Sequence, residues 1–288
     1  MLAGIEAGGT HIRCAVGLPP APDEWDRVDE IHIATRSPDQ TLAELHDYLQ
    51  RFDDLAAIGV AAFGPIDTDP QSIHYGTVLD TPKRQWQGHN WVQAFTAVAN
   101  KVAVDTDVMC AARAEHVRHA RVGSLGYITV GTGIGLGYSG LSLQGVGHAE
   151  FGHQSIQRHA QDSFPGVCPF HGDCLEGLAS GPALAARWQC QPEQLDEPLA
   201  WQIQADYLAQ ACVNLLRILP LGRVVLGGGV MQKPGLLDMV KERVQTLTAG
   251  YAEFDAPLSQ RLVASGFAGR SGLAGALLLA QRWVHATD

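Results

Sequence analysis

No stretch of this chain is apolar enough for long enough to span a bilayer. The opening Met-Leu-Ala-Gly-Ile-Glu-Ala-Gly-Gly-Thr has no basic segment ahead of a long apolar run, so a signal peptide is not expected. Basic side chains are scarce: 20 Lys and Arg stand against 30 Asp and Glu, a formal charge of -10. Neither nucleic acid nor a membrane surface is therefore expected as the main partner, although a local basic patch is invisible in the sum. Only six cysteines occur in 288 residues, and they form no evenly spaced framework, so a cytoplasmic setting is expected. Cys14, Cys110, Cys190 and Cys212 lie in apolar or helical surroundings and read as small core residues. Linkers, low-complexity tracts and long charge runs are missing too. With 46% hydrophobic residues, the chain can bury one large core or two moderate ones.

Strand-like and helix-like segments alternate along it. "LAGIEAGGTHIRCAVGL" reads as strand, glycine turn, strand. "SPDQTLAELHDYLQRF" reads as a helix capped by Ser37, with Pro38 in its first turn and Gln40 completing a capping box. Leu42, Leu45, Leu49 and Phe52 then share one face. "AAIGVAAF" is a continuous apolar run stopped by Gly64-Pro65, as suits a strand in a sheet covered on both sides. Helix "NWVQAFTAVAN", strand "KVAVD", helix "DVMCAARAEHVRHA" and strand "LGYITV" follow. The opening pattern then returns in "YITVGTGIGLGYSG", which suggests two halves built alike. Beyond a Cys/His-rich insert comes a long helix with Ile203, Tyr207, Leu208, Ala211, Leu215 and Leu219 on its inner side. Strand "RVVLGGG", a helix from about Gly235, strand "RLVAS" and a final helix "SGLAGALLLAQRWV" complete an α/β pattern.

Several of these segments carry chemistry. Glycine turns let backbone N–H groups approach phosphate oxygens closely, and successive amides make an anion-binding concavity. Gly8, Gly9 and Thr10 form one such turn; Gly131, Thr132 and Gly133 form another. Facing one another across a cleft, the two suit a nucleoside triphosphate, though each alone reads equally as a plain hairpin. Gly227, Gly228 and Gly229 end a buried strand, where ligands of open α/β sheets collect; a tight strand-to-helix turn is the simpler alternative. "EFGHQSIQRHAQDSFPGVCPFHGDCLEG" places His153 ahead of Cys168, His171 and Cys174 in a C-x-x-H-x-x-C spacing. Four soft donors can close a tetrahedral zinc site with no open position, which makes the metal structural rather than catalytic. Buried thiols with an exposed His are the metal-free alternative.

Taken in order, "GIEAGGT", "FGPID", "TPKRQW", "DTDV", "VGTGIG", "HAEFGH", "CPFHGDCLEGLASGPAL" and "LGGGV" resemble the repressor/ORF/kinase (ROK) family of bacterial sugar kinases, and most of all its zinc-containing fructokinase branch. The resemblance implies a two-domain actin/hexokinase-type (ribonuclease H-like) α/β fold with ATP in the inter-domain cleft. It implies a small domain over 1–115, a large one over 116–270, and a C-terminal helix about 271–288 that packs back on the first. A cytoplasmic homodimer is also implied.

Phosphoryl transfer to a sugar hydroxyl needs positioning, Mg²⁺ and a carboxylate that accepts the hydroxyl proton. Asp105 and Asp107 stand where a strand gives way to a helix, and either can serve as a helix cap. The resemblance selects Asp107 as the base. Thr106 and Met109 stand where relatives often carry Asn, and His11 where they often carry Lys. The resemblance turns Glu150, His153 and Glu176 toward the sugar; Gly64 and Lys83 are expected to line the sugar pocket. Pro182, Met231 and Gln232 are expected to border the nucleotide. The implied activity is an ATP- and Mg²⁺-dependent hexose kinase with structural Zn²⁺, making fructose 6-phosphate from fructose. A glucokinase, mannokinase or N-acylhexosamine kinase keeps the same chemistry. A sugar-responsive repressor or a non-catalytic sugar-binding protein is the reading from another class. The first hairpin begins at Gly4, which leaves no room ahead of it for a helix-turn-helix.

Overall fold

The computed structural model describes residues 1–19, 29–81, 83–141, 149–251 and 257–285. It forms two compact units. One takes in Met1–His119 and Gly266–Asp288, the other Ala120–Leu141 and Ala149–Ser265.

The first unit is built on a five-stranded sheet. Its strands are β1 (Leu2–Ala7), β2 (His11–Gly17), β3 (Asp29–Ala34), β4 (Ala57–Ala62) and β5 (Val102–Thr106), ordered β3-β2-β1-β4-β5. The glycine turn makes β1 and β2 antiparallel with Ala7 opposite Ile12, whereas β4 and β5 continue parallel to β1. All six residues of β4 are buried, as its unbroken apolar run requires. One face of the sheet packs on α1 (Pro38–Leu49) and α2 (Trp91–Phe95) through Leu45, Tyr48, Leu49, Trp91 and Phe95. The other face receives α3 (Asp107–Arg118) and α8 (Ser271–His285) through small residues. A Cβ on Gly59 would stand 2.0 Å from the Ala276 carbonyl oxygen, and one on Gly275 would stand 1.9 Å from that of Cys110. Glycine at these positions therefore sets how closely α8 approaches β4 and α3. The last three residues of the expected terminal helix lie outside the described ones.

One local expectation fails. Ser37 holds the position before α1, but its hydroxyl makes no cap bond, so the capping box with Gln40 does not form. Thr41, buried in the first turn, instead accepts the Arg36 N–H at 3.0 Å.

The second unit repeats the hairpin plan. Strands β6 (Leu125–Val130), β7 (Ile134–Ser139), β8 (Arg223–Gly227) and β9 (Leu262–Ala264) are ordered β7-β6-β8-β9, with β6 antiparallel to β7 and parallel to β8. Its core is formed with α4 (Leu175–Ala179), α5 (Gly181–Trp188), α6 (Pro198–Ile218) and α7 (Leu236–Thr248). Ile203, Tyr207, Leu208, Ala211 and Leu215 of α6 are buried as their spacing requires. Leu219 lies one residue past the helix end, partly buried against the same core.

Candidate active site and metal centre

In the first unit the turn after β1 is closed by the Gly8 N–H donating to the His11 carbonyl at 3.0 Å. Thr35 holds it from β3's far end, donating its hydroxyl to the Gly8 carbonyl at 2.8 Å and its N–H to that of Thr10 at 2.9 Å. Gly8 and Gly9 are half-buried, while Thr10 and His11 are exposed. Lys83 lies with its stem across Gly9: a Cβ there would meet Cε at 2.7 Å. Gly64 is exposed just past β4, where the Phe63 N–H donates to the Ala7 carbonyl at 2.9 Å. Of the "TPKRQW" segment, Pro82 lies outside the described residues.

The two candidate carboxylates at the end of β5 keep different company. Asp105 is held 2.5 Å from Arg113 Nη2, and its Oδ1 accepts the Thr106 N–H at 2.7 Å. Thr106 caps α3, its hydroxyl accepting the Met109 N–H at 3.2 Å. Asp107 is thereby relieved of both tasks. It occupies the first helical position, accepts the Val108 N–H at 2.8 Å and forms no ion pair among the described residues. Burial raises its carboxyl to about 6, against the lowering effect of the Val108 and Asp107 backbone N–H groups.

Glu6 enters the same unit without having been singled out as a site residue. Burial raises its carboxyl to about 7; Arg13 opposes the rise, while the negative charges of Asp107 and Glu30 add to it. Its Oε2 has no hydrogen-bond partner, and Arg13 Nη1 stands 3.8 Å away. The available signal was a single carboxylate inside the otherwise apolar strand LAGIEA.

In the second unit the Gly131 N–H donates to the Gly133 carbonyl at 2.9 Å, and the Gly181 N–H at the head of α5 donates to the Gly131 carbonyl at 2.8 Å. Thr132 and Pro182 are exposed beside this turn. A Cβ on Gly131 would lie 3.9 Å from the Gly229 amide nitrogen, so the turn and the triple glycine are neighbours. Gly228 has φ +92°, where a side chain would strike Val130, whereas a Cβ on Gly229 would meet nothing within 4 Å. Met231 and Gln232 follow in a short 3₁₀ turn, Val230–Gln232. The expected nucleotide residues of this half thus gather around one surface. Glu176 lies below it: its Oε2 accepts the Ile134 N–H at 2.8 Å and fills the space a Gly133 side chain would need. Glu150 is exposed, and His148 of "HAEFGH" lies outside the described residues.

His153, Cys168, His171 and Cys174 converge, with their ligand atoms all within 4.8 Å of one another. His153 Nδ1 is 3.6 Å from Cys168 Sγ and 3.5 Å from Cys174 Sγ; His171 Nδ1 is 3.6 Å from Cys168 Sγ. On a tetrahedral zinc with Zn–S of about 2.3 Å and Zn–N of about 2.0–2.1 Å, a sulfur–nitrogen edge measures about 3.6 Å. The donor set and its spacing therefore fit that ion. The His171 N–H donates to Cys168 Sγ at 3.4 Å and the Gly177 N–H to Cys174 Sγ at 3.5 Å, bonds that suit thiolates. Because His153 offers Nδ1 to the cluster, its Nε2 remains for another partner.

The loop has a second anchor. Asp162 and Arg187 are buried and paired at 3.0 Å; Tyr207 donates to Asp162 at 2.5 Å, and Arg187 donates to the Leu178 carbonyl at 2.8 Å. Insert, α4, α5 and α6 are tied through this group.

Comparison with known proteins identifies the lineage. The model of the ROK family matches residues 2–283. The chain belongs to the ROK family. A protein described as a putative fructokinase from Bacillus subtilis (strain 168) is 39% identical, over 99% of this chain and 97% of that protein. A fructokinase from Pediococcus pentosaceus is 36% identical, over 98% of each. Among solved structures, a ROK family glucokinase from Streptomyces griseus in complex with glucose and AMPPNP superposes with a TM-score of 0.75 at 23% identity, covering 98% of this chain and 99% of that one. The ROK chain described here accordingly has the mixed α/β, actin/hexokinase-type architecture of these structures. No helix among its described residues is long and apolar enough to cross a membrane.

Proposed function

We propose that this ROK protein is an ATP-dependent hexose kinase, a fructokinase that converts D-fructose to fructose 6-phosphate. The observation that carries the reading is identity of 36–39% along almost the whole chain to relatives described as fructokinases or a putative fructokinase. Identity at that level and coverage supports a shared reaction in a way that fold alone does not.

Asp107 is the general base of this reading. It draws the proton from the sugar's primary hydroxyl as the oxygen attacks the γ-phosphorus. A carboxylate raised to about 6 by burial is ionised near neutrality yet basic enough to take a proton in the transition state. Asp105, neutralised by Arg113, is a poor alternative. Gly8, Gly9 and Thr10 in one unit, and Gly131, Thr132 and Gly133 in the other, offer amides and hydroxyls to phosphates. Gly227–Gly229, Pro182, Met231 and Gln232 border the rest of the nucleotide. Glu150, Glu176 and the free nitrogen of His153 accept from or donate to sugar hydroxyls. Gly64 borders the sugar.

Mg²⁺ fits the acidic side of the first unit. Glu6 presents a buried oxygen with no hydrogen-bond partner, and Mg²⁺ prefers one or two carboxylates together with substrate phosphates. When bound, it neutralises charge on the phosphates. Zn²⁺ at His153, Cys168, His171 and Cys174 cross-links the insert and leaves no coordination position for substrate. The reading also includes a cytoplasmic setting and a homodimer, the second of which sedimentation of the purified protein tests directly.

Coupled turnover with ATP on fructose, glucose, mannose and N-acetylglucosamine tests the assignment. Fructose should give the highest kcat/KM. Preference for another hexose would move the protein to a different ROK activity, and absence of turnover on all four would refute the kinase reading.

A further inference from the structure

The first hairpin brings no committed cation of its own to a phosphate. Thr10 is neutral, and the His11 ring packs at a tilt against that of His32 of β3, with centroids 4.8 Å apart. Arg13, the next cation along β2, is engaged by Glu6 and by the Gly269 carbonyl. Lys83 comes from a distant part of the chain and meets this gap. Its stem crosses Gly9 so closely that a Cβ at position 9 would stand 2.7 Å from Cε and 3.5 Å from Nζ. The side chain is half-buried, yet its ammonium makes no ion pair or hydrogen bond among the described residues. An ammonium that water can reach and that no protein acceptor holds is available to an anionic ligand at the hairpin.

The backbone around Lys83 is well anchored. The Trp86 N–H donates to the Lys83 carbonyl at 2.8 Å, and the Lys83 N–H reaches Thr81 Oγ1 at 3.4 Å. Trp86 is buried between Phe63 and Trp91, and its indole N–H donates to the Arg36 carbonyl at 3.0 Å. In "TPKRQW" the Trp is thus the anchor, and the Lys is what the anchor holds over the hairpin.

We infer that Lys83 binds the terminal phosphates of the nucleotide at the Gly8–Gly9–Thr10 hairpin, and not a hydroxyl of the sugar. The inference rests on the kinase reading. Its chemistry is that of a compact point charge completing an amide-lined concavity: the amides orient the oxygens and the ammonium neutralises them. Glycine at position 9 lets the backbone approach closely, and the end of the lysine side chain lies across it. This also accounts for His11, because a fixed charge at position 11 is dispensable when one arrives from position 83.

The test compares wild type with K83M and K83R, by kinetics and by equilibrium titration with ATP, ADP and AMP in the absence of sugar. Unchanged circular dichroism of K83M serves as the control for folding. For K83M, ATP affinity should fall about tenfold or more while AMP affinity stays the same, as loss of a charge-assisted contact to the outer phosphates requires. The KM for fructose should stay within about twofold of wild type. K83R should recover most of the ATP affinity. A raised fructose KM with unchanged ATP affinity overturns the inference in favour of a sugar contact. Unchanged behaviour toward both ligands overturns it outright. Should wild type phosphorylate no hexose, the kinase reading fails, and the ATP-against-AMP titration still decides the role of Lys83.

Discussion

Asp105 and Asp107 are two residues apart, yet the fold gives them different surroundings. Arg113, nearly two turns along α3, neutralises the first, and Thr106 takes over the cap that an aspartate could have supplied. Asp107 is left with two local N–H contacts and a raised proton affinity. We expect D107N to lower kcat by about 10²–10⁴-fold with little change in fructose KM, the range typical of lost general-base catalysis. Since the working form is the carboxylate, the wild-type kcat should fall as pH drops through about 6. The sign for stability is the reverse. A carboxyl whose proton affinity is higher folded than unfolded stabilises below its unfolded value of 3.8, and that contribution is lost as pH rises through about 6. Thermal melts at pH 7.5 should therefore find D107N no less stable than wild type. A clearly lower melting temperature would mean that Asp107 holds the fold together, which a base with no ion pair should not do.

At the level of elements, the insert is fixed twice, by the Cys/His cluster and by Asp162–Arg187–Tyr207. Removing one partner of a buried pair costs about 3–5 kcal/mol, because the other charge is stranded. R187M should accordingly lose several degrees in melting temperature even with zinc supplied. C168S or C174S should lose bound zinc, measured by elemental analysis, and raise fructose KM more than ATP KM. Retention of one zinc per chain in C174S would contradict the ligand assignment. The contact of α8 with β4 is narrower still. G59V should fail to accumulate as folded protein, since even a Cβ would overlap the Ala276 carbonyl.

The element level is also where the limits of the sequence reading lie. Both glycine hairpins, the buried strand β4 and the long helix α6 were legible, because periodicity and glycine placement are local. The convergence of His153, Cys168, His171 and Cys174 was legible from their closeness in sequence. The absent Ser37 cap was not, because the capping-box spacing is compatible with a side chain that makes no cap bond. Glu6 carried a local signal, a lone carboxylate in an apolar strand. The position of Lys83 over Gly9 was out of reach for a different reason: it arises from packing between segments remote in sequence, and no period or motif encodes a contact between positions 9 and 83.

In the whole molecule, each of the two units pairs a strand antiparallel to its successor and parallel to a later strand, and each carries a glycine turn between the antiparallel pair. Membership of the ROK family and the relatives described as fructokinases then give that plan a chemical purpose. The most direct measurement of the central claim is ATP-coupled phosphorylation of a hexose panel by the purified, zinc-assayed protein, wild type beside D107N. The account expects fructose 6-phosphate from wild type at the highest kcat/KM of the panel, and turnover reduced at least about a hundredfold in D107N. Phosphorylation of fructose by D107N at a near wild-type rate would contradict it.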